Sequence, residues 1–369
     1  MSSHLHRVAL AGAALAALLV GTPAVAGGNG KAKGRQAESK STQSEGEIST
    51  AAYTSSDRTL GGINPTSTPM VGSDFFAAAD AQAALRAQIR ADQAHQVASG
   101  HGMIVAVLDG GFNLDHPALQ DRLMPYSWDT IDHDADAHDT GNGVDDNGDG
   151  VVDGAVGHGT FVAGMVLVAA PDARILPVRV RNDEGFGPNI AISEGIYWAV
   201  DQGAHVINLS LATGYNEMGG LGGALSYAMD RGVIVVAAAG NTGATFLSDM
   251  ASTKKVLAVG AVDADDQIAP FSNYVTSNKA GYRILFAPGV DLVGPTGTTD
   301  GDEWGVWSGT SFSAGLVSGA CALAKQLHGD WMHGRVLDHV EASVDSITDP
   351  NGRNYRHGGR INLWKVVSE

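Results

Sequence analysis

Val233-Ile234-Val235-Val236-Ala237-Ala238-Ala239-Gly240-Asn241 is apolar at every position until it ends in glycine and a polar amide. A strand with one wet face alternates apolar and polar residues, so a run that is apolar on both faces belongs to a strand covered on either side, as in parallel sheets. Residues 103–108, 174–180, 205–209, 256–262 and 284–286 are further short apolar runs. Residues 159–169, 189–202, 219–231 and 311–327, lying between or beside them, carry helix-forming patterns. The alternation predicts an α/β fold: a doubly wound, mostly parallel sheet with helices on both faces, forming a single domain.

Ahead of this core, His4, His6 and Arg7 precede an apolar run over residues 8–20 and then Ala24-Val25-Ala26, the order of a cleaved secretory signal. The run falls short of the roughly 20 residues a spanning helix needs, which predicts export (extracellular or periplasmic) and no membrane anchor after cleavage. Residues 27–72 are rich in Gly, Ser, Thr, Lys and Pro without apolar periodicity and read as a flexible segment. Residues 73–97 are Ala-rich, with Leu85 and Ile89 four apart, and read as one helix ended by Gly100 to Gly102. A formal net charge of -17 disfavours a nucleic-acid partner. The one cysteine, Cys321, excludes an intramolecular disulfide and sits in an Ala- and Val-rich run as a small buried thiol.

Four polar residues stand at the ends of these elements. Asp109 lies where an apolar strand runs into Gly110 and Gly111, at the carboxyl end where open parallel sheets build their sites. His158 sits between Gly157 and Gly159, which let backbone and substrate approach an imidazole able to exchange protons near neutrality. Ser311 follows Gly309-Thr310 at a helix start, whose free amides also favour an oxyanion. Singly, these read as a strand-end aspartate, a loop histidine and a helix cap. With Asn241 as a further oxyanion donor, they supply the groups a serine needs to attack a carbonyl.

On these residues the chain resembles the subtilisin-like serine proteases, the subtilases. Val105-Ala106-Val107-Leu108-Asp109 is similar to the aspartate motif, Gly157-His158-Gly159-Thr160 with Val162-Ala163-Gly164 to the histidine motif, and Gly309-Thr310-Ser311 with Ser313-Ala314 to the serine motif. Ala238-Ala239-Gly240-Asn241 resembles the oxyanion segment, Val206-Ile207-Asn208-Leu209-Ser210-Leu211 the substrate-pairing strand, and Ala287-Pro288-Gly289 the segment before the serine. The order Asp, His, Ser along the chain is also that family's, and the likeness runs from Met103 to Asn362.

The resemblance implies a serine endopeptidase acting through an Asp109-His158-Ser311 triad and an acyl-enzyme on Ser311, with Asn241 in the oxyanion hole. It implies a substrate pocket lined by Ser210, Leu211, Ala212, Ala238, Ala239 and Gly240, protein or peptide substrates, no cofactor for catalysis, and a monomer. The expected domains are a signal peptide over 1–26, a flexible segment and Ala-rich helix over 27–99 with room for at most a short propeptide, and a peptidase domain over 100–369. Gly110, Phe161 and Gly315 depart from the family's usual Ser or Thr, His and Pro. Gly315 is expected to loosen the serine helix by up to about 1 kcal/mol relative to Ala.

Between Asp129 and Asp153 the sequence is crowded with aspartate. Asp145, Asn147, Asp149, Val151 and Asp153, with Gly150 at the turn, match the odd-position spacing of a calcium loop, although Val156 stands where an EF-hand has its Glu. A structural Ca2+ site and a solvated acidic loop are the two readings. Two rival functions are a metal-dependent hydrolase built on His133, Asp134, Asp136, His138 and Asp139, and an inactive subtilase-fold binding protein.

Overall fold

Every residue of the strand Ile234–Ala238 is buried, and its side chains divide between two apolar layers. Ile234, Val236 and Ala238 enter one layer, Val235 and Ala237 the other, so the strand is covered on both faces. The structure, a computed structural model, describes residues 69–70, 74–211, 220–276, 281–297, 304–347 and 358–368. All of them fall in one compact unit, Thr50–Glu369. The signal peptide expected over 1–26, Ala212 and most of the flexible segment expected over 27–72 lie outside the described residues, while Pro69–Met70 within that segment forms a strand.

In chain order the strands are β1 Pro69–Met70, β2 Ile104–Asp109, β3 Trp128–Asp129, β4 Arg174–Arg179, β5 Val206–Leu209 and β6 Ile234–Ala238. They continue as β7 Leu257–Val262, β8 Arg283–Pro288, β9 Leu292–Pro295, β10 Trp304–Trp307, β11 Val344–Asp345 and β12 Arg360–Ile361. The helices are α1 Asp74–Gln88, α2 Ala91–Ala94, α3 His158–Ala169, α4 Asn189–Asp201, α5 Leu221–Asp230, α6 Thr310–Leu327, α7 His333–Ala342 and α8 Leu363–Ser368. The main sheet has the order β11-β12-β8-β7-β6-β5-β2-β4-β3 and is parallel except where β11 meets β12. A small antiparallel sheet, β1-β10-β9, lies apart from it.

Residues from α1, α2, α3, α6, α7 and α8 cover one face of the main sheet, and residues from α4 and α5 cover the other. After β2 the chain forms β3 at the sheet edge and β4 between β3 and β2, and then crosses to β5 on the other side of β2. That reversal opens a crevice at the carboxyl ends of β2 and β5, the place where such sheets bind ligands. Asp109 closes β2 and Ser210 follows β5 there.

The stretch read as one helix over 73–97 breaks at Arg90, whose φ is 60°. The break frees two carbonyls for the C-terminal end of the chain: Gln88 accepts from the Arg360 guanidinium at 2.6 Å and Ile89 from the Leu363 amide at 2.8 Å. Leu85, Ile89, Ala91, Ala94 and Ala98 are buried in the layer that also holds α6.

Candidate active site

Two parallel helices bring the histidine and the serine side by side. A Cβ built on Gly315 of α6 would lie 2.9 Å from the Val162 carbonyl of α3, and one on Gly319 would lie 2.7 Å from the Val166 carbonyl. The contact therefore advances four residues on each helix, and one turn earlier the same register sets Ser311 beside His158. On β2, Leu108 enters the layer under α4 and α5, so alternation turns Asp109 toward α3.

His158 opens α3 behind Gly157, which takes the left-handed conformation with φ 86°. Its Nδ1 lies 2.8 Å from Asp109 Oδ1, with side-chain exposures of 1% and 0%. Asp109 Oδ1 also accepts from the Gly110 amide at 2.8 Å and from Arg181 at 3.0 Å. Burial, the largest influence, pushes the Asp109 carboxyl up, but the charges of His158 and Arg181 and the bonds from His158 and Gly110 hold it below the usual 3.8.

The opposite nitrogen, His158 Nε2, is buried without a hydrogen-bond partner. Ser311 Oγ donates instead to the Ser210 carbonyl at 3.4 Å; bonds of this kind often form fully only around substrate. Ser210 Oγ donates to the Ser311 carbonyl at 2.7 Å, fixing the start of α6 against the end of β5. Asn241 Oδ1 accepts from the Thr310 amide at 2.9 Å and hydroxyl at 2.8 Å, which leaves Asn241 Nδ2 as a buried donor without a partner.

The remaining predicted pocket residues differ in what they can offer. Ala238 ends β6, Ala239 and Gly240 follow it, and the Gly240 amide donates to Thr310 Oγ1 at 3.2 Å. Leu211 and Ala239 bury their side chains in the layer under α4 and α5, so only their backbone can face a ligand. Phe161, where the family often has histidine, stacks on Trp307 with centroids 5.2 Å apart and meets Phe312 at 4.4 Å. His158 lies 5.4 Å from the same Phe312 ring, so these aromatics form an apolar wall beside the imidazole.

Two buried charged residues here had escaped the sequence reading as site residues: Arg181, and Asp139 in this setting. Asp139 Oδ2 accepts the Gly157 amide at 2.6 Å, next to His158. Burial above all, with repulsion from Asp109 and Asp183, raises its carboxyl to about 7 against the Gly157 bond and Arg179. Arg181 follows β4 in the alternating run Val178-Arg179-Val180-Arg181, where a charge at a strand's buried end was the available signal.

In the acidic loop, Asp145 accepts from the Asp149 and Gly150 amides, Asn147 from the Asp149 amide, and Asp149 from the Val151 amide. That is the turn a calcium loop needs in its first half. Asp153 turns away to the amides of Asn142 and Gly143, so the second half does not close on the same centre. Among the described residues no three His, Cys, Asp or Glu side chains converge well enough to hold a metal ion. The rival hydrolase residues also disperse: His138 pairs with Asp136, His133 leans toward Glu194, and Asp139 points inward to Gly157.

The Subtilase family model matches residues 100–356. The chain belongs to the subtilase family. This subtilase is 36% identical over 288 residues to a thermophilic serine proteinase of Bacillus sp. (strain AK1), covering 75% of this chain and 65% of that one. It is 33% identical over 284 residues to thermitase of Thermoactinomyces vulgaris, covering 76% of this chain and 94% of the relative. Among solved structures, a protease from Pseudoalteromonas arctica PAMC 21717 superimposes with a TM-score of 0.67 at 26% identity, covering 78% of this chain and 97% of that one. A cold-adapted subtilisin-like serine proteinase gives 0.59 at 26% identity, covering 72% and 90%. The subtilase is thus a serine-type endopeptidase by class, needing no cofactor for catalysis. No helix among the described residues is long and apolar enough to cross a membrane.

Proposed function

We propose that this subtilase is a secreted endopeptidase that cleaves peptide bonds of protein substrates through Asp109, His158 and Ser311. One observation carries the reading. His158 Nε2 and Asn241 Nδ2 are both buried without a hydrogen-bond partner, and Asn241 is held through its Oδ1 to Thr310, the residue before Ser311. Leaving such groups unpaired costs about 1–3 kcal/mol each, which a substrate can relieve.

His158 Nε2 takes the Ser311 proton as Oγ attacks the scissile carbonyl, and later gives it to the leaving amine. Asp109, held by Gly110 and Arg181, keeps the Nδ1 proton and so the tautomer that leaves Nε2 free. Asn241 Nδ2 and the Ser311 amide, free in the first turn of α6, receive the oxyanion. Water then releases the acyl group from Ser311.

Secretion rests on the charged, apolar and small-residue order of residues 1–26. Because Leu85 and Ile89 are core residues, any propeptide ends before α1, which N-terminal sequencing of the secreted product checks. Structural calcium belongs to the reading through the half-formed turn at Asp145, Asn147 and Asp149, and no step of the reaction passes through it.

The decisive experiment is Ser311→Ala, expected to abolish casein hydrolysis and labelling by a fluorophosphonate probe. Undiminished turnover in that variant would sink the triad assignment. Wild-type protein that folds but is never labelled would point to the inactive binding protein.

A further inference from the structure

Asp109 Oδ1 takes three donors: His158 Nδ1 at 2.8 Å, the Gly110 amide at 2.8 Å and the Arg181 guanidinium at 3.0 Å. The carboxylate that orients the imidazole is therefore shared with a buried cation, whose own exposure is 5%. Arg181 is braced by a second bond to the Gly185 carbonyl at 3.3 Å, on the turn that follows β4. β4 pairs with β2 in register up to Asp109 and Arg179, and the next amide, Val180, donates to the Asp109 carbonyl at 2.8 Å, so Arg181 follows directly on backbone tied to Asp109.

On the reading that Asp109 and His158 are the acid-base pair, we propose that Arg181 is a positioning residue that fixes the Asp109 carboxylate and extends the pair's working range toward acid. Both effects follow from one contact. A guanidinium donating to Oδ1 limits rotation of the carboxylate and so the direction in which it holds the Nδ1 proton. Its fixed positive charge also opposes arrival of a second positive charge on the pair, so the base form survives to lower pH.

The other charges around the pair come from three directions. Asp139 approaches through Gly157, and Asp183 and Glu184 lie buried on the turn after β4. Arg179 donates to the Gly110 carbonyl at 3.1 Å while pairing with Asp129 and Asp132. The first turn of α6 carries no acidic residue, and its Phe312 ring lies 5.4 Å from the His158 ring. Arg181 is the one among these charged neighbours that is hydrogen-bonded to the Asp109 carboxylate. The acids favour the protonated pair and the arginines oppose it, so removing Arg181 tips the balance toward protonation.

The test is the acid limb of kcat/KM on a neutral chromogenic peptide for wild type, Arg181→Met, Arg181→Gln and Arg181→Lys. The neutral variants are expected to shift the limb upward by about 0.5–1 pH unit, with the lysine variant within about 0.2 of wild type. Equal loss of kcat/KM at every pH, with the limb unmoved, marks a structural role and overturns the proposal. Should neither neutral variant fold, the Arg181 guanidinium NMR signals in Ser311→Ala protein decide. They must follow the same pH midpoint as wild-type activity, and signals that stay still overturn the proposal. Failure of the triad reading looks different, since Ser311→Ala then keeps its activity.

Discussion

Gly315 lies against the main chain of Val162, so close that a Cβ at 315 would sit 2.9 Å from the Val162 carbonyl and 3.0 Å from Met165 Cβ. Helix propensity alone makes glycine at this position a cost of up to about 1 kcal/mol. The contact gives it a different meaning: the missing side chain lets α3 and α6 touch, and that register sets His158 beside Ser311.

Gly315→Ala should therefore destabilise the protein by about 1–3 kcal/mol, the penalty of overpacking a filled contact, rather than stabilise it. Gly319→Ala should cost at least as much, because its Cβ would meet Ala169 Cβ at 2.6 Å as well as the Val166 carbonyl at 2.7 Å. Thermal unfolding in a Ser311→Ala background, which prevents autolysis, reads both. A rise in Tm for either variant would contradict the close-contact account.

Asp139 links pH to stability. Its carboxyl is raised from 3.8 to about 7 in the folded protein, mainly by burial. A group raised on folding binds its proton more tightly in the native state, so its contribution is fully present below about pH 4 and lost as pH rises through 7. Three pKa units correspond to roughly 4 kcal/mol at most. Asp139→Asn keeps an oxygen for the Gly157 amide and removes the charge. It should match wild type near pH 4 and exceed it by one to a few kcal/mol at pH 8, in urea unfolding at the two pH values. A stability difference independent of pH would refute the assignment.

The central strands were legible because both of their faces are buried: β2, β6 and β7 read as apolar runs whichever neighbour they have. Short edge elements such as β3 and β11, two residues each, carry no period to read. The hairpin strands β9 and β10 are four residues each, and Trp304–Trp307 is only alternately buried, so their pairing is a tertiary fact. The stretch read as one helix over 73–97 is two, Asp74–Gln88 and Ala91–Ala94, and the carbonyls freed at the break pair with Arg360 and Leu363, some 270 residues away, which local sequence does not show. Asp109, His158, Asn241 and Ser311 stood out because glycines and element ends surround them. Asp139 was hidden among exposed aspartates of the same loop, and only its inward turn to Gly157 separates it from them.

That loop also frames the last prediction. Asp145, Asn147 and Asp149 fold their oxygens over the amides of one turn, while Glu184 accepts from Asn147 Nδ2 at 2.7 Å and from the Asp153 amide at 3.1 Å. The aspartates repel one another unless a cation enters, and a calcium ion would draw Asp153 back from Asn142 and Gly143 to complete the shell. Because the loop ends at Gly157, ordering it would steady the start of α3 and with it His158. Chelation by EDTA should then lower Tm, by about 5–10 °C if calcium is held at a hundred times its Kd, and reduce activity in parallel. Added Ca2+ should restore both, and Mg2+, which demands stricter octahedral geometry, should not. Protein whose melting and turnover are indifferent to EDTA has a loop held by its own amides alone.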